Sequence, residues 1–357
     1  MSFSFEKTMA TSTPRADRLI HNGVSDRHQR HGVLTRRGFL RLAAAQGVAW
    51  TLSYPALSRA ARTFPASASR SAFETRYYHP LDLQRAAREQ WGQAARVTST
   101  GRHLYDWKAV VNGKPLPLDL ARAVSRQYGR SWQLVMTGLG LYDWKATRFD
   151  ALPDCVLPVM LVSSDRFYDI AGVARGLLHF RSVLARVQTW YRRRAGVTFR
   201  LLSPLIVPSQ HSSSHWNDTC RRTTQDKYRF DLFHKATEEF GRHLPPPGER
   251  LRVVLAPYSG DSPDVWQGAA AAGPFATIPA YATSIHCPGA GRLSEQAAGV
   301  AYAVGHELGH TFGLGHPGDA HPSDPQWQRS IMQSAVPPDA ILLPGEVRQL
   351  RESRYFR

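Results

Sequence analysis

Cysteine is scarce in this chain, which has only Cys155, Cys220 and Cys287 among its 357 residues. Three thiols are too few for a disulfide framework, and their spacing does not suit a zinc site built from cysteines. In an oxidising compartment one pair could form a disulfide bond and leave the third thiol free, but the sequence does not select the pair. A chain of this length can bury a substantial core without such bridges.

Long hydrophobic runs are missing as well. A transmembrane helix needs about 18 or more consecutive apolar residues, and no segment of this chain reaches that length. The longest mildly apolar stretch near the N-terminus, Leu42 to Leu52, is too short to span a bilayer. We therefore expect no transmembrane helix.

Acidic residues are outnumbered, with 28 Asp and Glu against 45 Lys and Arg, so the formal net charge is +17. A surface this basic could meet nucleic acid, anionic lipid or an acidic polymer. The sequence contains no RNA-binding signature, no basic zipper and no run that mixes aromatic and basic residues. We favour a solvated, arginine-rich surface and expect no nucleic-acid partner.

The first 60 residues carry an export pattern. The segment Thr35-Arg36-Arg37-Gly38-Phe39-Leu40-Arg41 precedes the mildly apolar run, and Ser58-Arg59-Ala60 has the small-x-small form of a cleavage site. This arrangement resembles a twin-arginine signal peptide, which implies folding and metal loading in a bacterial cytoplasm before export. We expect a periplasmic or secreted protein, with a linker over residues 61–73.

Residues 74–150 are predicted to form a small N-terminal accessory segment or pro-segment with an internal repeat. The motif Leu-Tyr-Asp-Trp-Lys-Ala occurs at residues 104–109 and again at residues 141–146. Each copy is predicted to be a strand and turn, with a short helix between them near Leu118 to Gln127. The repeated aromatic patch could bind glycan or a wall polymer, but we favour packing against the next domain.

From residue 151 to the end the pattern alternates between strands and helices, which predicts an α+β catalytic domain. Strands are predicted at Val156–Val162, Val197–Val207, Leu251–Ala256 and Phe275–Ser284, and helices at Val173–Tyr191, Thr224–Phe240, Ser294–Phe312 and Pro344–Phe356. A strand, a long helix ended by Gly196 and a second strand form the crossover unit that makes two strands parallel. Pro279 places the strand at Phe275–Ser284 on the edge of the sheet.

The stretch HELGHTFGLGH contains three histidines and a glutamate at spacings that suit a metal centre. His306 and His310 are four residues apart, so one helical face carries both imidazoles, which can reach a single tetrahedral Zn²⁺. Gly313 can adopt the left-handed conformation of a sharp helix end and so bring His316 to the same ion. Three protein ligands leave a fourth position for water, and Glu307 can serve as general base and then general acid.

The same stretch matches HExxHxxGxxH, and with Ser330-Ile331-Met332 further on it resembles the metzincin clan of zinc proteases; we assign no subfamily. The resemblance implies a zincin-like domain with a twisted mixed sheet, an active-site helix and a C-terminal helix. It also implies that Met332 supports the site from beneath the metal. An extended peptide would pair with an edge strand, for which Phe275 to Ser284 is the candidate, and residues 333–343 would wall the pocket.

Two lesser sites have alternative interpretations. His211 and His215 with Asp218 could hold a second, structural metal, but a polar loop is the favoured interpretation. Cys155 could occupy the open zinc position before maturation, but we favour a small buried thiol at the start of a strand.

These observations lead to one functional hypothesis and one alternative. The hypothesis is an exported zinc endopeptidase that hydrolyses protein or peptide substrates, with His306, His310 and His316 as ligands, Glu307 as general base and acid, and Gly313 and Met332 as structural supports. The alternative is an exported protein that binds wall polymer or glycan and whose zinc site is catalytically incompetent.

Overall fold

The computed structural model describes residues 72–99, 103–104, 106–139, 143–223, 225–260, 269–283, 293–317, 326–333 and 339–356. The predicted signal peptide (residues 1–60), nearly all of the predicted linker (61–73) and Cys287 lie outside these ranges. No helix within them is long and apolar enough to cross a membrane. The described ranges contain eight α-helices and three β-sheets, so the chain has the mixed α and β composition that the sequence predicts.

After a short helix α1 (Ala72–Tyr77), residues 79–147 repeat one order of elements. The first copy contains β1 (His79–Pro80), α2 (Leu83–Trp91), β2 (Arg96–Ser99) and β3 (Trp107–Val111), and the second contains β4 (Lys114–Pro117), α3 (Leu120–Tyr128), β5 (Gln133–Met136) and β6 (Trp144–Thr147). Each copy gives its first strand to the other, because β1 pairs with β6 and β4 pairs with β3. The repeated motif therefore belongs to an intertwined duplication, which we call the paired module.

The two copies hold each other through equivalent hydrogen bonds. Gln127 accepts from the backbone N–H of Asp82 at 3.0 Å and donates to its carbonyl at 2.8 Å. Gln90, 37 residues earlier in the first copy, makes the same pair of bonds to Asp119, at 3.0 and 2.8 Å. Asp82 and Asp119 are the N-cap residues of α2 and α3, so each glutamine fixes the start of the opposite helix.

The following aromatic residues repeat this exchange. The indole N–H of Trp91 donates to the carbonyl of Pro117 at 2.8 Å, and the hydroxyl of Tyr128 donates to the carbonyl of Pro80 at 2.6 Å. Trp91 and Tyr128 occupy equivalent positions in the two copies, as do Pro80 and Pro117. In the described residues of the paired module, the exchange between the two copies is therefore reciprocal at both the strands and the helix ends.

The segment that follows the paired module is built on a five-stranded sheet with helices on both faces. Its elements are β7 (Cys155–Val162), α4 (Ile170–Ala195), β8 (Leu205–Pro208), α5 (Ser213–Arg222), α6 (Asp231–His243), β9 (Leu251–Tyr258), β10 (Ala270–Ala272), β11 (Phe275–Thr277), α7 (Leu293–Thr311) and α8 (Pro344–Glu352). The strand order is β10-β11-β9-β7-β8, and only β10 runs antiparallel to its neighbour. Parallel strands covered on both faces explain why β7 is apolar and buried at every position.

Alternate side chains of β7 enter two different cores. Val156 and Met160 belong to the core that contains residues of α4 and α7, whereas Leu157 and Val159 belong to the core that contains residues of α5 and α6. Trp144 of the paired module joins the first of these cores. The paired module and the sheet are therefore stabilised partly by the same buried surface.

The long helix α4 has the ends that its sequence predicts. Asp169 accepts from the backbone N–H of Gly172 at 2.9 Å and so caps the N-terminus. Gly196 follows the last turn with φ of 75°, a left-handed conformation that favours glycine. The prediction of Gly196 as the helix stop is confirmed, and α4 spans 26 residues.

Two predicted elements between α4 and β9 are wrong in extent. The helix expected at Thr224–Phe240 begins later, at Asp231, and is preceded by α5, which was expected to be a polar loop. The predicted strand Val197–Val207 is reduced to β8, preceded by isolated bridges. Helix α5 was not predicted because it lacks a clear apolar face. Of its buried side chains only Trp216 and Cys220 belong to the hydrophobic core, and the others are polar.

The predicted edge strand is also wrong. The segment expected to form the edge contains β11, which lies between β9 and β10 and ends at Thr277, before Pro279. The outer strand of the described sheet is β10, which folds back on β11 through a tight turn at Gly273, where φ is 57°. Pro279 lies beyond the end of β11, so its missing N–H does not interrupt the hydrogen bonds of the sheet. It therefore carries no information about which strand is at the edge.

The reciprocal hydrogen bonds of the paired module predict a loss of stability when one glutamine is removed. Replacing Gln127 with Ala deletes two side-chain bonds to the Asp82 backbone, and we expect the free energy of unfolding to fall by about 1–2 kcal/mol. Urea unfolding of the full chain measures this change. Gln93→Ala, at an exposed glutamine of the same module, is the matched control and should change stability by less than about 0.5 kcal/mol. Equal midpoints for the two variants would contradict the interpretation.

Candidate metal centre

Helix α7 carries the histidine motif on the same side of the sheet as α4. Its residues Val300, Val304 and Leu308 are buried in the core that also contains α4 side chains. The hydroxyl of Tyr191, a fully buried residue of α4, donates to the carbonyl of Gly305 at 2.7 Å. Packing and this hydrogen bond fix the turn of α7 that immediately precedes His306.

The end of α7 turns as predicted. Leu314 N–H donates to the carbonyl of Gly309 at 3.0 Å, and Gly313 N–H donates to the carbonyl of His310 at 2.9 Å, which is the Schellman pattern. Gly313 has φ of 94°, a conformation that favours glycine. This turn brings His316 back to the helix, with its ring centroid 4.7 Å from that of His310.

The three imidazoles converge, as the sequence predicts. The ring centroids of His306 and His310 are 4.7 Å apart, and those of His306 and His316 are 5.4 Å apart. One ligand atom from each histidine lies within 4.8 Å of the other two. Within the described ranges, no other group of three metal-ligating side chains meets this condition.

The hydrogen bonds of two rings establish which nitrogens are available to a cation. His306 donates from Nδ1 to the carbonyl of Ile331 at 2.7 Å, and His310 donates from Nδ1 to the carbonyl of Leu314 at 2.9 Å. A carbonyl only accepts, so in the neutral rings both Nε2 atoms carry lone pairs. These two atoms face each other at 3.1 Å and cannot hydrogen-bond to one another.

Two facing lone pairs fit a bound cation. Ligand nitrogens about 2.0–2.1 Å from a tetrahedral zinc are separated by about 3.3 Å, close to the distance between the two Nε2 atoms. Burial lowers the pKa of His306 to about 4 and also lowers the pKa of His310, so both rings are neutral at physiological pH. The donor set therefore suits Zn²⁺, with neutral imidazole nitrogens as ligands.

Glu307 lies next to His306 and is 7% exposed. Burial raises the pKa of its carboxyl group to about 8, and the positive charge of Arg229 opposes this rise. A cation held by the neighbouring histidines would also favour the charged carboxylate. The group is therefore placed where it can hold or release a proton near neutral pH.

A turn at Ile331 and Met332 packs against one face of α7, where two glycines leave room for it. An added Cβ at Gly305 would lie 2.8 Å from Cδ1 of Ile331, and one at Gly309 would collide with the sulfur of Met332. Met332 is fully buried and thus packs directly beside the residue that precedes His310. Gly305 and Gly309, four residues apart on one face of the helix, were the sequence signal for this close packing. No role was predicted for either glycine.

The two lesser sites have other roles in the structure. The rings of His211 and His215 stack at 4.0 Å with an interplanar angle of 6°, so their in-plane lone pairs cannot converge on one ion. His211 instead faces the buried carboxylate of Glu239 at 3.7 Å. Cys155 is fully buried in the core on the face of the sheet opposite α7, and burial raises the pKa of its thiol to about 12. A thiol with so high a pKa stays protonated, whereas a metal ligand must be a thiolate.

Filling the space beneath α7 should be costly. Gly309→Ala gains helix propensity of about 1 kcal/mol but places a methyl group against Met332, and we expect a net destabilisation of about 1–3 kcal/mol. Gly241→Ala in α6 is the matched control, because no atom lies within 4 Å of its added Cβ, and it should be neutral or stabilising. Thermal unfolding measures both, and a Gly309→Ala protein as stable as Gly241→Ala would refute the packing.

Comparisons with known proteins return few matches. No protein-family model and no curated protein matches the chain. Among solved structures, wild-type OgpA from Akkermansia muciniphila is similar over 57% of this chain, with 15% identity and a TM-score of 0.36. Catalytically inactive OgpA in complex with an O-glycopeptide substrate, glycodrosocin, is similar over the same share, with 13% identity and a TM-score of 0.33. The similar region spans 61% of each of those chains.

Proposed function

We propose that the chain is a zinc-dependent endopeptidase of the metzincin type. The observation that carries the proposal is the pair of Nε2 atoms of His306 and His310, which face each other with their Nδ1 protons committed to carbonyls, beside His316 and Glu307. The HExxHxxGxxH spacing and the seating of Met332 against α7 support the resemblance to metzincins.

In this proposal the three histidines bind the metal and Glu307 transfers protons during peptide hydrolysis. His306, His310 and His316 would hold the zinc through neutral nitrogens. When bound, zinc supplies Lewis-acid activation of water and of the scissile carbonyl. Glu307 accepts the proton of the attacking water at its carboxylate and then donates that proton to the leaving amine. A cation held by the histidines would favour the charged carboxylate that accepts the proton, whereas burial raises the pKa of the group and helps it to retain that proton until it is donated.

The substrate is proposed to be an extended peptide that pairs with β10. This strand is the outer strand of the described sheet, and α7 packs against both β10 and β11. Its residues Ala270, Ala271 and Ala272 have small side chains, which leave room for an approaching backbone. An edge strand offers its free N–H and C=O groups to a peptide with little dependence on side chains.

Glu307→Gln tests the function. The amide keeps the size of the side chain but cannot accept the proton, so we expect cleavage of an unfolded protein substrate to fall at least about a hundredfold while zinc is retained. Cleavage and zinc content are measured on the same preparations. Glu352→Gln, an exposed glutamate of α8, is the control and should leave both unchanged.

Chelation gives the complementary result. Removing zinc from the wild-type chain should abolish cleavage, and adding Zn²⁺ should restore it. A wild-type protein that holds zinc and cleaves no protein substrate would contradict the endopeptidase proposal and favour the alternative of an exported polymer-binding protein.

We also propose export by the twin-arginine route, based on the resemblance of residues 35–60 to such a signal peptide. Replacing both Arg36 and Arg37 with Lys should leave the protein in the cytoplasm of a bacterial host, as judged by fractionation. Efficient export of this variant would exclude the route, and Arg41→Lys, outside the pair, serves as the control.

A further inference from the structure

The peptide unit between Ile331 and Met332 is held at both ends. Its carbonyl accepts the Nδ1 proton of His306 at 2.7 Å. Its N–H donates to the hydroxyl oxygen of Ser330 at 2.9 Å. An amide whose N–H is hydrogen-bonded becomes a stronger acceptor at its carbonyl, so the two bonds reinforce each other.

The hydroxyl of Ser330 continues this chain of hydrogen bonds to a carboxylate. Ser330 is fully buried, and its oxygen lies 2.6 Å from Oε1 of Glu346. A hydroxyl has one proton, and because its oxygen already accepts from Met332 N–H, that proton is free to be donated to Glu346. The order of donors is thereby fixed from the metal ligand to the carboxylate.

Glu346 lies in the first turn of α8 and has a second partner. Its Oε2 accepts from the backbone N–H of Leu343 at 2.7 Å, which satisfies a free donor at the start of the helix. The carboxylate therefore joins the N-terminus of α8 to the turn beneath α7. A capping role alone would need only the bond to Leu343.

Backbone hydrogen bonds and side-chain packing hold the turn at Ile331 and Met332 in place. Ile331 N–H donates to the carbonyl of Ile341 at 2.9 Å, and Ile341 N–H donates to the carbonyl of Arg329 at 2.8 Å. The side chain of Ile331 packs at Gly305 and that of Met332 at Gly309. Since these contacts fix the position of the turn, the Ser330 bond acts mainly on the orientation and polarity of its one peptide unit.

We propose that Glu346 is a positioning residue for the metal ligand His306, and that it acts through Ser330 and the Ile331–Met332 peptide; this inference rests on the proposed zinc function. Metal-ligating histidines commonly donate their second ring N–H to a carboxylate, which fixes the tautomer and increases the basicity of the ligand nitrogen. Here the carboxylate does not contact the imidazole directly. The Ser330 hydroxyl and the Ile331–Met332 peptide unit lie between them and connect them through hydrogen bonds.

Zinc affinity tests the proposal without requiring activity. In Ser330→Ala the peptide N–H loses its acceptor, and in Glu346→Gln the hydroxyl loses a charged acceptor. We expect each substitution to weaken zinc binding by the full chain about tenfold, measured by competition with a chromogenic chelator at constant pH. The double variant should bind zinc about as weakly as either single variant, because both changes interrupt one chain of bonds.

Two further measurements separate positioning from helix capping. Loss of the cap alone would lower the unfolding temperature of the metal-free Glu346→Gln protein without changing zinc affinity. The proton NMR resonance of His306 Nδ1–H in the zinc-loaded chain should move upfield in both variants, because its acceptor carbonyl is weaker. Glu352→Gln, on the same helix, should leave the affinity and the resonance unchanged.

The possible outcomes distinguish the two proposals. Zinc affinities within twofold of wild type in both single variants, or losses that add fully in the double variant, would overturn the positioning role. If Ser330→Ala does not fold, Glu346→Gln alone decides by the same criterion. A wild-type chain that binds no zinc overturns both proposals. One that binds zinc but cleaves no protein contradicts only the proposed function.

Discussion

The constraint on which the site depends is the placement of two lone pairs against each other. The Nε2 atoms of His306 and His310 face one another at 3.1 Å, and neither ring can relieve the contact by moving its proton, because each Nδ1 proton is hydrogen-bonded to a carbonyl. In a neutral pair this arrangement is repulsive, whereas a cation between the nitrogens makes it favourable. The surrounding structure thus holds the two imidazoles in an orientation that suits a bound cation.

That orientation is maintained by contacts from distant parts of the chain. Tyr191 of α4 donates a hydrogen bond to the backbone of α7. The side chains of Ile331 and Met332 pack against Gly305 and Gly309 of α7. Glu346 of α8 accepts from the Ser330 hydroxyl and so connects that helix to the turn. A single helix could present His306 and His310 on one face, but their tautomers and ring angles depend on partners outside that helix.

The two copies of the paired module complete each other and share a core with the rest of the fold. Each copy donates its first strand and its glutamine to the other, so neither copy completes its sheet or its helix cap alone. The buried Trp144 connects the second copy to the core beneath α4 and α7. Residues of the candidate metal centre and of the repeat therefore pack into one hydrophobic core, although they are distant in sequence.

The sequence by itself determined those features that depend on local backbone geometry. The four-residue spacing of His306 and His310, the helix ends at Gly196 and Gly313 and the buried strand β7 follow from periodicity and from the conformational freedom of glycine. Only the tertiary structure decided which strand lies on the edge, that the repeats exchange strands, and that His306 donates to a carbonyl 25 residues away. Such partners are brought together by the packing of whole elements, and no local pattern in the chain records that packing.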